Sequence, residues 1–555
     1  DNSPVRVYYH YEDGKPVDHC TRDQDSAGSA AAQWKYYTPA DSRYGYNGSN
    51  SGIDSNGNKY NLFNYYVNSD GNAVITKYQG NVSALSIPDT IDGYSVVEIE
   101  DRAFEAKAAL RVIQIPDSVT VIGAYAFADC SNLVNVTLPQ NLETMNRGAF
   151  NNCTSLESIE IPPNIQYTSI SGDTYNCGIF NGCTHLKNVT FEEGTTKIVK
   201  YFLANCQGLE SVTIPDTVVE IEDAAFDNCE NLEHVYFGEN ITSIGKYAFY
   251  FCKKLTDIEL PSNLKSIGHS AFGYCDSLKS IVIPKNLEET IGNYGVFYNC
   301  ANLQAAAFEE GTTKIVSNVF VNCKGLINVT IPETVTVIGE FAFRNCSNLE
   351  QIEIPNSVDT IQRYAFSDCV KLKNVVLPSN LRIAGYHIFS GCNEIESINI
   401  PKSLKSAGNM LAGCNGLTTV IFEEDITCII PSLFANCLGL KQIVIPDTVT
   451  EIRDYAFENC SNLIDLKLSN NLEYIGRGAF QNCSALEKIG LPKSLKETDC
   501  LWTTGVSMPG IFEGCNNLKE VTFEEGTTCI TARVFENCLG IENIVIPEGV
   551  TEIQY

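Results

Sequence analysis

The sequence has no long apolar run, few basic residues, six histidines and only two tryptophans. A membrane-spanning helix needs ~18 or more consecutive apolar residues, so the sequence predicts no membrane insertion. Lysine and arginine number 38 against 67 acidic residues, and the formal net charge is -29. This charge repels phosphate backbones and anionic lipid, which argues against a nucleic-acid partner. The histidines are scattered without a pair at ligand spacing, so we expect no metal site and no cofactor.

The two ends of the sequence also lack familiar features. The chain opens Asp1-Asn2-Ser3-Pro4, without an initiator methionine or a signal peptide. It stops at Tyr555, midway through a repeating unit. We therefore expect a fragment of a longer protein, with any targeting or anchoring segment outside the sequence.

One motif, Phe-x-x-Cys-x-x-Leu-x-x-Ile-x-Ile-Pro, is abundant instead. It returns every 23 residues through most of the chain, and residues 343–355 are an example. A fixed period of this length predicts a solenoid, in which each turn buries its apolar side by stacking on its neighbours. We predict a β-rich solenoid of about 20 turns, with a short parallel strand in each turn and few or no long helices.

The turn that contains Cys323 shows how one unit should fold. Leu326, Val329 and Ile331 predict a short strand whose inward side chains alternate with outward ones. Pro332 ends this strand, because proline has no N–H group for a ladder hydrogen bond. The apolar residues of 335–338 then allow a second short strand on another side of the coil.

Eighteen of the 23 cysteines share one position of the repeat. Free cysteine behaves as a small, buried hydrophobe, so we predict a ladder of buried thiols and not a disulfide framework. The segment from Phe to Leu predicts a helical turn that carries the thiol inward. Asn precedes the cysteine in ten turns, and we expect its amide to bond backbone groups at a bend. Cys428 and Cys529 fall where other copies carry lysine, which predicts exposure.

These units resemble the BspA-type leucine-rich repeats of bacterial surface proteins, whose repeat runs roughly Leu-x-x-Ile-x-Ile-Pro-x-x-Val-x-x-Ile-x-x-x-Ala-Phe-x-x-Cys. Matching units cover about residues 80–555, and the proline, the Ala-Phe pair and the cysteine recur together. The resemblance implies a leucine-rich repeat solenoid that is extracellular or on the surface of a bacterium, in a family often assigned to adhesion. It carries no shared active site, so we expect the chain not to be an enzyme.

The sequence predicts three regions. Residues 1–57 are tyrosine-rich and lack the repeat, and they are interpreted as an N-terminal cap or a small β module. Within them, the alternation of residues 5–11 and the turn residues 12–15 predict a hairpin. Residues 58–107 resemble the atypical first turns of such arrays. Residues 108–555 are the solenoid proper, truncated within a repeat.

The repeat lapses at four places. The spacing from the preceding cysteine is 30 at Cys183, 25 at Cys300, 22 at Cys414 and 32 at Cys515. Each of these cysteines opens a turn whose strand ends in Phe-Glu-Glu instead of Ile-Pro, which indicates duplicated modules. The three insertions lie on the return side of the coil, just before Phe-x-x-Cys, and the longest contains Trp502.

Two patterns invite a chemical interpretation. Ser211, His234 and Asp257 occupy one outward strand position in successive turns, so they should line up about 5 Å apart. The row is open to water, lacks paired oxyanion donors and projects its side chains in parallel, so we predict no catalytic residue. The Glu-Glu pairs, such as residues 192–193, are separated by whole modules, and each alone supplies too few oxygens for Ca²⁺.

Binding is the function that the pattern favours, because the outward strand face of a solenoid is its natural contact surface. His234, Tyr236 and Asp257 are the first candidate binding residues, and the loop around Trp502 is the second. The expected partner is an extracellular or host protein or glycan. A structural spacer within a larger surface protein is the alternative interpretation, and a hydrolase is the third.

Overall fold

The computed structural model describes Asn50 and residues 61–163, 165, 178–498, 509–531 and 534–554, together with the backbone of four short strands before residue 61. The chain divides into two compact units, Asp1–Pro261 and Ser262–Tyr555. Every regular element in these described ranges is a β-strand. No helix long and apolar enough to cross a membrane occurs among them.

The first unit begins with antiparallel strands. Tyr8–Glu12 pairs with Lys15–Thr21, which confirms the hairpin predicted from residues 5–15. Whether residues 1–57 act as a cap or as a separate module stays a prediction. Two further antiparallel pairs and one short strand follow: Gly52–Ile53 with Lys59–Tyr60, Phe63–Val67 with Ala73–Tyr78, and Thr90–Ile91.

From residue 73 onward the solenoid strands pair in parallel, turn upon turn. The leading strands of the turns in the first unit are Ala84–Ser86, Val112–Gln114, Asn135–Thr137, Ser158–Ile161, Asn188–Phe191, Ser211–Thr213 and His234–Tyr236. The second strands of these turns are Tyr94–Ile99, Val121–Ile122, Thr144–Met145, Lys197–Ile198, Glu220–Ile221 and Ser243–Ile244.

The second unit repeats this arrangement. Its leading strands are Ser280–Ile283, Ala305–Phe308, Asn328–Thr330, Gln351–Glu353, Asn374–Val376, Ser397–Ile400, Thr419–Phe422, Gln442–Val444, Asp465–Lys467, Lys488–Leu491 and Glu520–Phe523. Its second strands are Ser266–Gly268, Glu289–Ile291, Lys314–Ile315, Val337–Ile338, Thr360–Ile361, Ile383–Ala384, Ser406–Ala407, Cys428–Ile429, Glu451–Ile452, Tyr474–Ile475, Glu497–Thr498, Cys529–Ile530 and Glu552–Ile553. The predicted β-rich solenoid with parallel strands is confirmed.

Proline ends most of the leading strands by starting a tight turn. Asn328–Thr330 is followed by Pro332, whose carbonyl oxygen accepts a hydrogen bond from the N–H of Val335 at 3.1 Å. The second strand, Val337–Ile338, begins two residues later. Proline therefore marks the corner between the two strands, where its missing N–H leaves no ladder bond unmade.

The Phe-Glu-Glu turns lengthen the ladder by one hydrogen bond. The N–H of Glu309 donates to the carbonyl oxygen of Ile283 at 2.9 Å, and that of Glu524 donates to Leu491 at 3.0 Å. Proline stands at this position in the regular turns and has no hydrogen to donate. The paired strands at these places accordingly run over four residues, as Ser280–Ile283 does with Ala305–Phe308.

A column of phenylalanine rings fills the interior between turns. Phe343 and Phe366 are stacked with centroids 5.2 Å apart and an angle of 4° between the ring planes. Both rings are fully buried, as are most phenylalanines at this position. Leucine interrupts the column at Leu203 and Leu411, which are also buried. Burial of large aromatic side chains contributes strongly to stability, so the column is a main source of cohesion between turns.

The predicted ladder of buried thiols is confirmed. The cysteines of the repeat position are free thiols, and all of them are buried except Cys538. Cys346 donates from its sulfur to the carbonyl oxygen of Phe320, one turn earlier, at 3.2 Å. In the first turn Lys107 replaces the thiol, and its ammonium group donates to the carbonyl oxygen of Gly80 at 3.4 Å. The side chain at this position therefore supplies a donor to the preceding turn.

The segment from Phe to Leu is not the helical turn that the sequence suggested. Cys346 N–H donates to Phe343 at 3.2 Å and Leu349 N–H donates to Cys346 at 3.0 Å, so consecutive tight turns form. Asn345, the residue before Cys346, has a φ of 58°, in the left-handed region. A positive φ interrupts a right-handed helix, and asparagine tolerates it better than most residues do.

The sequence also predicted the wrong hydrogen-bond partner for the asparagine before the cysteine, because it expected the amide to bond backbone groups. The amide of Asn459 donates to the side-chain oxygen of Asn436 at 3.1 Å, and the amide of Asn482 donates to Asn459 at 2.9 Å. The asparagines thus bond one another between turns. A different asparagine, two residues after the cysteine, makes the backbone bond, as Asn462 does to the carbonyl oxygen of Leu438 at 2.8 Å.

Candidate functional site

The outward face of the leading strands carries the predicted binding residues. Ser211–Thr213 pairs in register with His234–Tyr236, so that Ser211 lies beside His234 and Thr213 beside Tyr236. The inward residue between them, Val212 or Val235, is buried, while the outward side chains are exposed. This alternation follows from the two-residue period of a strand, which assigns one face to the core and one to solvent.

Ser211, His234 and Asp257 form the row that the sequence predicted. Ser211 pairs with His234, and a parallel bridge joins His234 to Asp257. All three side chains are exposed. In this described stretch no hydrogen bond links the three side chains, and each belongs to a different turn. The row therefore presents polar groups to a partner and does not assemble a nucleophile with its base.

His234 and Tyr236 form the first candidate contact pair. Their ring centroids lie 6.3 Å apart with an angle of 31° between the planes. Tyr236 is 56% exposed. As alternate residues of one strand they share its outward face, and their exposed rings can bury apolar area against a partner.

The second candidate, Trp502, lies outside the described residues. Pro509 is the first described residue after that segment, and it borders a shallow groove of about 500 Å³. The groove is also lined by Ser432, Tyr455, Glu458, Gln481 and Glu513. Burial raises the pKa of the Glu458 carboxyl. Burial also raises the pKa of Tyr455, with a contribution from neighbouring carboxylates and opposition from Arg477.

The Glu-Glu pairs have a structural partner. The carboxylate of Glu524 accepts a hydrogen bond from the backbone N–H of Lys493 at 3.1 Å and lies 3.0 Å from its ammonium group. Glu309 and Lys285 repeat the arrangement at 3.0 and 3.5 Å. In these two pairs the first glutamate is therefore engaged by the preceding turn, whereas Glu192 accepts a hydrogen bond from the amide of Gln140 at 2.8 Å. Within the described ranges no group of three or more His, Cys, Asp or Glu side chains could hold a metal ion.

The thiols of the ladder are poor nucleophiles. Burial raises the pKa of Cys369 and of Cys460 to about 12. The out-of-phase Cys428 and Cys529 are half-buried, so the expected exposure is met only in part. Burial raises their pKa values too. A thiolate is the reactive form of cysteine, so the raised pKa values keep the buried ladder thiols unreactive and slow the reaction of the two half-buried ones.

An aromatic cluster on the return side was missed by the sequence analysis. The ring of Tyr294 lies edge-to-face with His269 at 5.8 Å and with Tyr298 at 5.8 Å. Tyr298 makes the same contact with Tyr274, also at 5.8 Å. These four residues are called the Tyr294 cluster. The concentration of tyrosine beside the irregular spacing before Cys300 was the signal that could have found it.

Three solved bacterial structures are similar to this chain. A leucine-rich repeat protein from Eubacterium ventriosum is 28% identical, with a TM-score of 0.34, over 57% of this chain and 81% of its own. A leucine-rich cell surface protein from Faecalibacterium prausnitzii is 23% identical, with a TM-score of 0.27, over 89% and 98%. A leucine-rich repeat protein from Bacteroides ovatus is 20% identical, with a TM-score of 0.26, over 89% and 99%.

Comparison with models of protein families gives a match over most of the chain. No curated protein matches the chain. The family model described as a BspA type leucine-rich repeat region matches residues 78–176, 173–295, 289–411, 408–500 and 508–555, with 6 copies. These matches span most of the sequence and coincide with the parallel turns of the solenoid. The chain belongs to the BspA-type leucine-rich repeat family.

Proposed function

We propose that this chain is a non-enzymatic binding protein of the bacterial cell surface or the extracellular space. It contacts an extracellular or host protein or glycan through the outward face of its leading strands. One observation carries the proposal: outward side chains such as Ser211, His234 and Tyr236 are exposed and aligned in register from turn to turn. Repeat proteins use such extended faces for binding.

Affinity on this face has to come from many modest contacts. Most outward side chains are polar, as are Asn328, Thr330 and Gln351, and the apolar ones, such as Val376 and Val444, are aliphatic. Strong contact sites are enriched in Trp, Tyr and Arg. His234 and Tyr236 supply two adjacent rings, so we propose that they are the main contact, with Asp257 beside His234 as a charged neighbour.

The membership of the BspA-type family supports the proposed location, because this family is known from bacterial surface proteins. The formal net charge of -29 supports a partner that is not a nucleic acid. Trp502 is proposed as a second contact on the strength of its place in the longest insertion.

The test is binding of the purified chain to an array of purified extracellular matrix proteins and host-cell glycans. For each binder found, we expect Tyr236→Ala to weaken affinity by about tenfold, the loss typical of a buried aromatic contact. Thr330→Ala, at the strand position of another turn that corresponds to Tyr236, is the matched control. Unchanged affinity in Tyr236→Ala would refute the role of the ring pair, while the remaining face could still be mapped by further substitutions.

The alternative, a structural spacer, predicts a different outcome. A spacer holds another domain at a distance and makes no specific contact, so no component of the array should bind. The hydrolase interpretation has no geometric support beyond the Ser211–His234–Asp257 row. If it were right, Ser211→Ala would abolish turnover of activated ester substrates, and we expect no turnover in the unaltered protein.

A further inference from the structure

The insertion before Cys300 shifts one strand by one residue. Glu289–Ile291 pairs with Ser266–Gly268, which places Thr290 opposite Ile267 and Ile291 opposite Gly268. Ile267 is buried, whereas Ile291 is 41% exposed. A one-residue slip sends a side chain to the other face of a strand. The insertion thus turns outward an isoleucine that the regular repeat would bury.

The same insertion presents Tyr294 on a rigid support. Tyr294 is 53% exposed, and its ring is held edge-to-face by His269 and Tyr298. A Cβ atom at Gly292 would lie 2.0 Å from Nδ1 of His269, so the loop is packed closely onto that ring. Gly292 also has a φ of 116°, which disfavours any other residue. An aromatic side chain fixed in advance costs little conformational entropy when it binds.

Tyr298 and Tyr274, which support Tyr294 in the cluster, are also held in place by contacts. Tyr298 packs on Tyr274, and the hydroxyl oxygen of Tyr274 accepts a hydrogen bond from the amide of Asn299 at 2.9 Å. The exposed edge of the cluster is therefore backed by ring contacts and a hydrogen bond, and not by a mobile side chain.

The strand that leads into the cluster carries negative charge, on Glu289 and on Glu288 before it. Glu289 and Ile291 are alternate residues of one strand, so their side chains share a face. Glu289 is exposed, and among the described residues no cation lies within ion-pair distance of its carboxylate. The neighbouring Glu288 lies 3.9 Å from Lys265. A tyrosine face attracts a guanidinium or ammonium group, and a carboxylate without an ion-pair partner does so too.

We propose that the Tyr294 cluster, with Ile291 and Glu289, is a second binding site that takes a basic polypeptide segment. An arginine or lysine side chain lies over the face of Tyr294, its charge near Glu289, and its aliphatic stem contacts Ile291. The chain's net charge of -29 attracts such a segment, and the rings provide the local selectivity. This site is on the return side and does not require the strand face to bind.

The test uses the fluorescein-labelled peptide acetyl-(Arg-Gly)5-amide and its glutamine counterpart, acetyl-(Gln-Gly)5-amide. Binding to the full chain is measured by fluorescence anisotropy at about 150 mM salt, where weak attraction to distant surface charges is largely screened. We expect the arginine peptide to bind and the glutamine peptide to bind at least about tenfold more weakly, because it lacks the charge.

Substitutions then localise the site. We expect Tyr294→Ala to weaken arginine-peptide binding by about fivefold or more, and Tyr294→Phe to retain it, because phenylalanine keeps the ring face. Glu289→Gln should weaken binding by about threefold and reduce its dependence on salt. Tyr236→Ala, on the strand face, should bind as the unaltered chain does. Equal affinity of Tyr294→Ala and the unaltered chain, or no binding of the arginine peptide, overturns the proposal.

Discussion

The sulfur of Cys346 lies 3.2 Å from the backbone carbonyl oxygen of Phe320, one turn earlier, and donates a hydrogen bond to it. The same bond joins Cys323 to Phe297 and Cys369 to Phe343, each at 3.2 Å. In these turns a small buried donor thus links the cysteine to a carbonyl group of the neighbouring turn. The carbonyl oxygen of Phe320 also accepts the backbone N–H of Cys323 at 3.1 Å, so the thiol adds a second bond to it and gives its own buried S–H a partner.

Removal of one thiol should destabilise the solenoid. Cys346→Ala removes the thiol hydrogen bond to the carbonyl oxygen of Phe320, which keeps its backbone bond from Cys323, and leaves a small cavity. We expect a loss of about 1–3 kcal/mol in the free energy of unfolding. Urea denaturation followed by circular dichroism measures this. Cys428→Ala, at a half-buried thiol outside the ladder, is the control, with an expected change within about 0.5 kcal/mol. Equal losses in the two variants would contradict the role of the ladder.

Stability should fall at alkaline pH. Burial raises the pKa of Cys369 and Cys460 to about 12, from an ordinary value of 9.0. A pKa raised by folding gives stability that is full below 9.0 and is lost as pH rises toward about 12. Melting temperatures measured between these limits should decline progressively.

Alkylation of the native protein tests independently whether burial protects the thiols of the ladder. Iodoacetamide should label Cys428 and Cys529, which are half-buried, before Cys369 or Cys460. Full labelling of the ladder thiols should require urea. Rapid labelling of Cys369 in the folded protein would show that the thiol is not protected.

The asparagine before the cysteine should be replaceable by glycine better than by alanine. Asn459 has a φ of 59° and makes amide bonds to Asn436 and from Asn482. Asn459→Gly loses both amide bonds but tolerates the left-handed backbone. Asn459→Ala also strains the backbone, and we expect it to be less stable than the glycine variant by about 1 kcal/mol. Thermal unfolding of the two variants decides the order, and a more stable alanine variant would disprove it.

The pKa of Glu524 should depend on Lys493. The backbone N–H of Lys493, followed by its side chain, lowers the pKa of Glu524 below the ordinary 4.5. The carboxylate is exposed, and its stabilising contribution is present above 4.5 and is lost as pH falls through the lowered pKa. Carboxyl-carbon NMR titration should show a partial rise of this pKa in Lys493→Met.

A proline substitution at Lys493 separates the contributions of its backbone N–H and of its side chain to the pKa of Glu524. Lys493→Pro removes the backbone donor as well, so it should return the pKa of Glu524 closer to 4.5 than Lys493→Met does. The chain itself carries proline at the matching place, Pro163, before the first Phe-Glu-Glu turn. An identical pKa in the two variants would show that the backbone bond contributes nothing.

Much of the architecture could be predicted from the repeat. The phase of Pro332 placed the strand end, and the phase of the cysteines placed the thiols in the core. The register of Ser211, His234 and Asp257 followed from counting residues, because parallel turns of equal length align equal positions. The predicted roles of His234, Tyr236, Asp257 and Trp502 in binding stay predictions.

Other features could not be read from the period. The left-handed φ of Asn345 and the amide bond between Asn459 and Asn436 depend on backbone dihedral angles, which a pattern of residue types does not contain. The outward position of Ile291 depends on where in the turn the extra residues are accommodated, and the sequence is compatible with several positions.

The sequence by itself determined the solenoid, its parallel strands, its buried cysteines and the family, since each turn must repeat the same burial pattern to stack on the next. Only the tertiary structure decided which groups meet between turns: the thiol of Cys346 with the carbonyl oxygen of Phe320, Glu524 with Lys493, and Tyr294 with His269. Those contacts join residues of different turns, and their geometry is set by how closely the turns pack and how each insertion bends the chain.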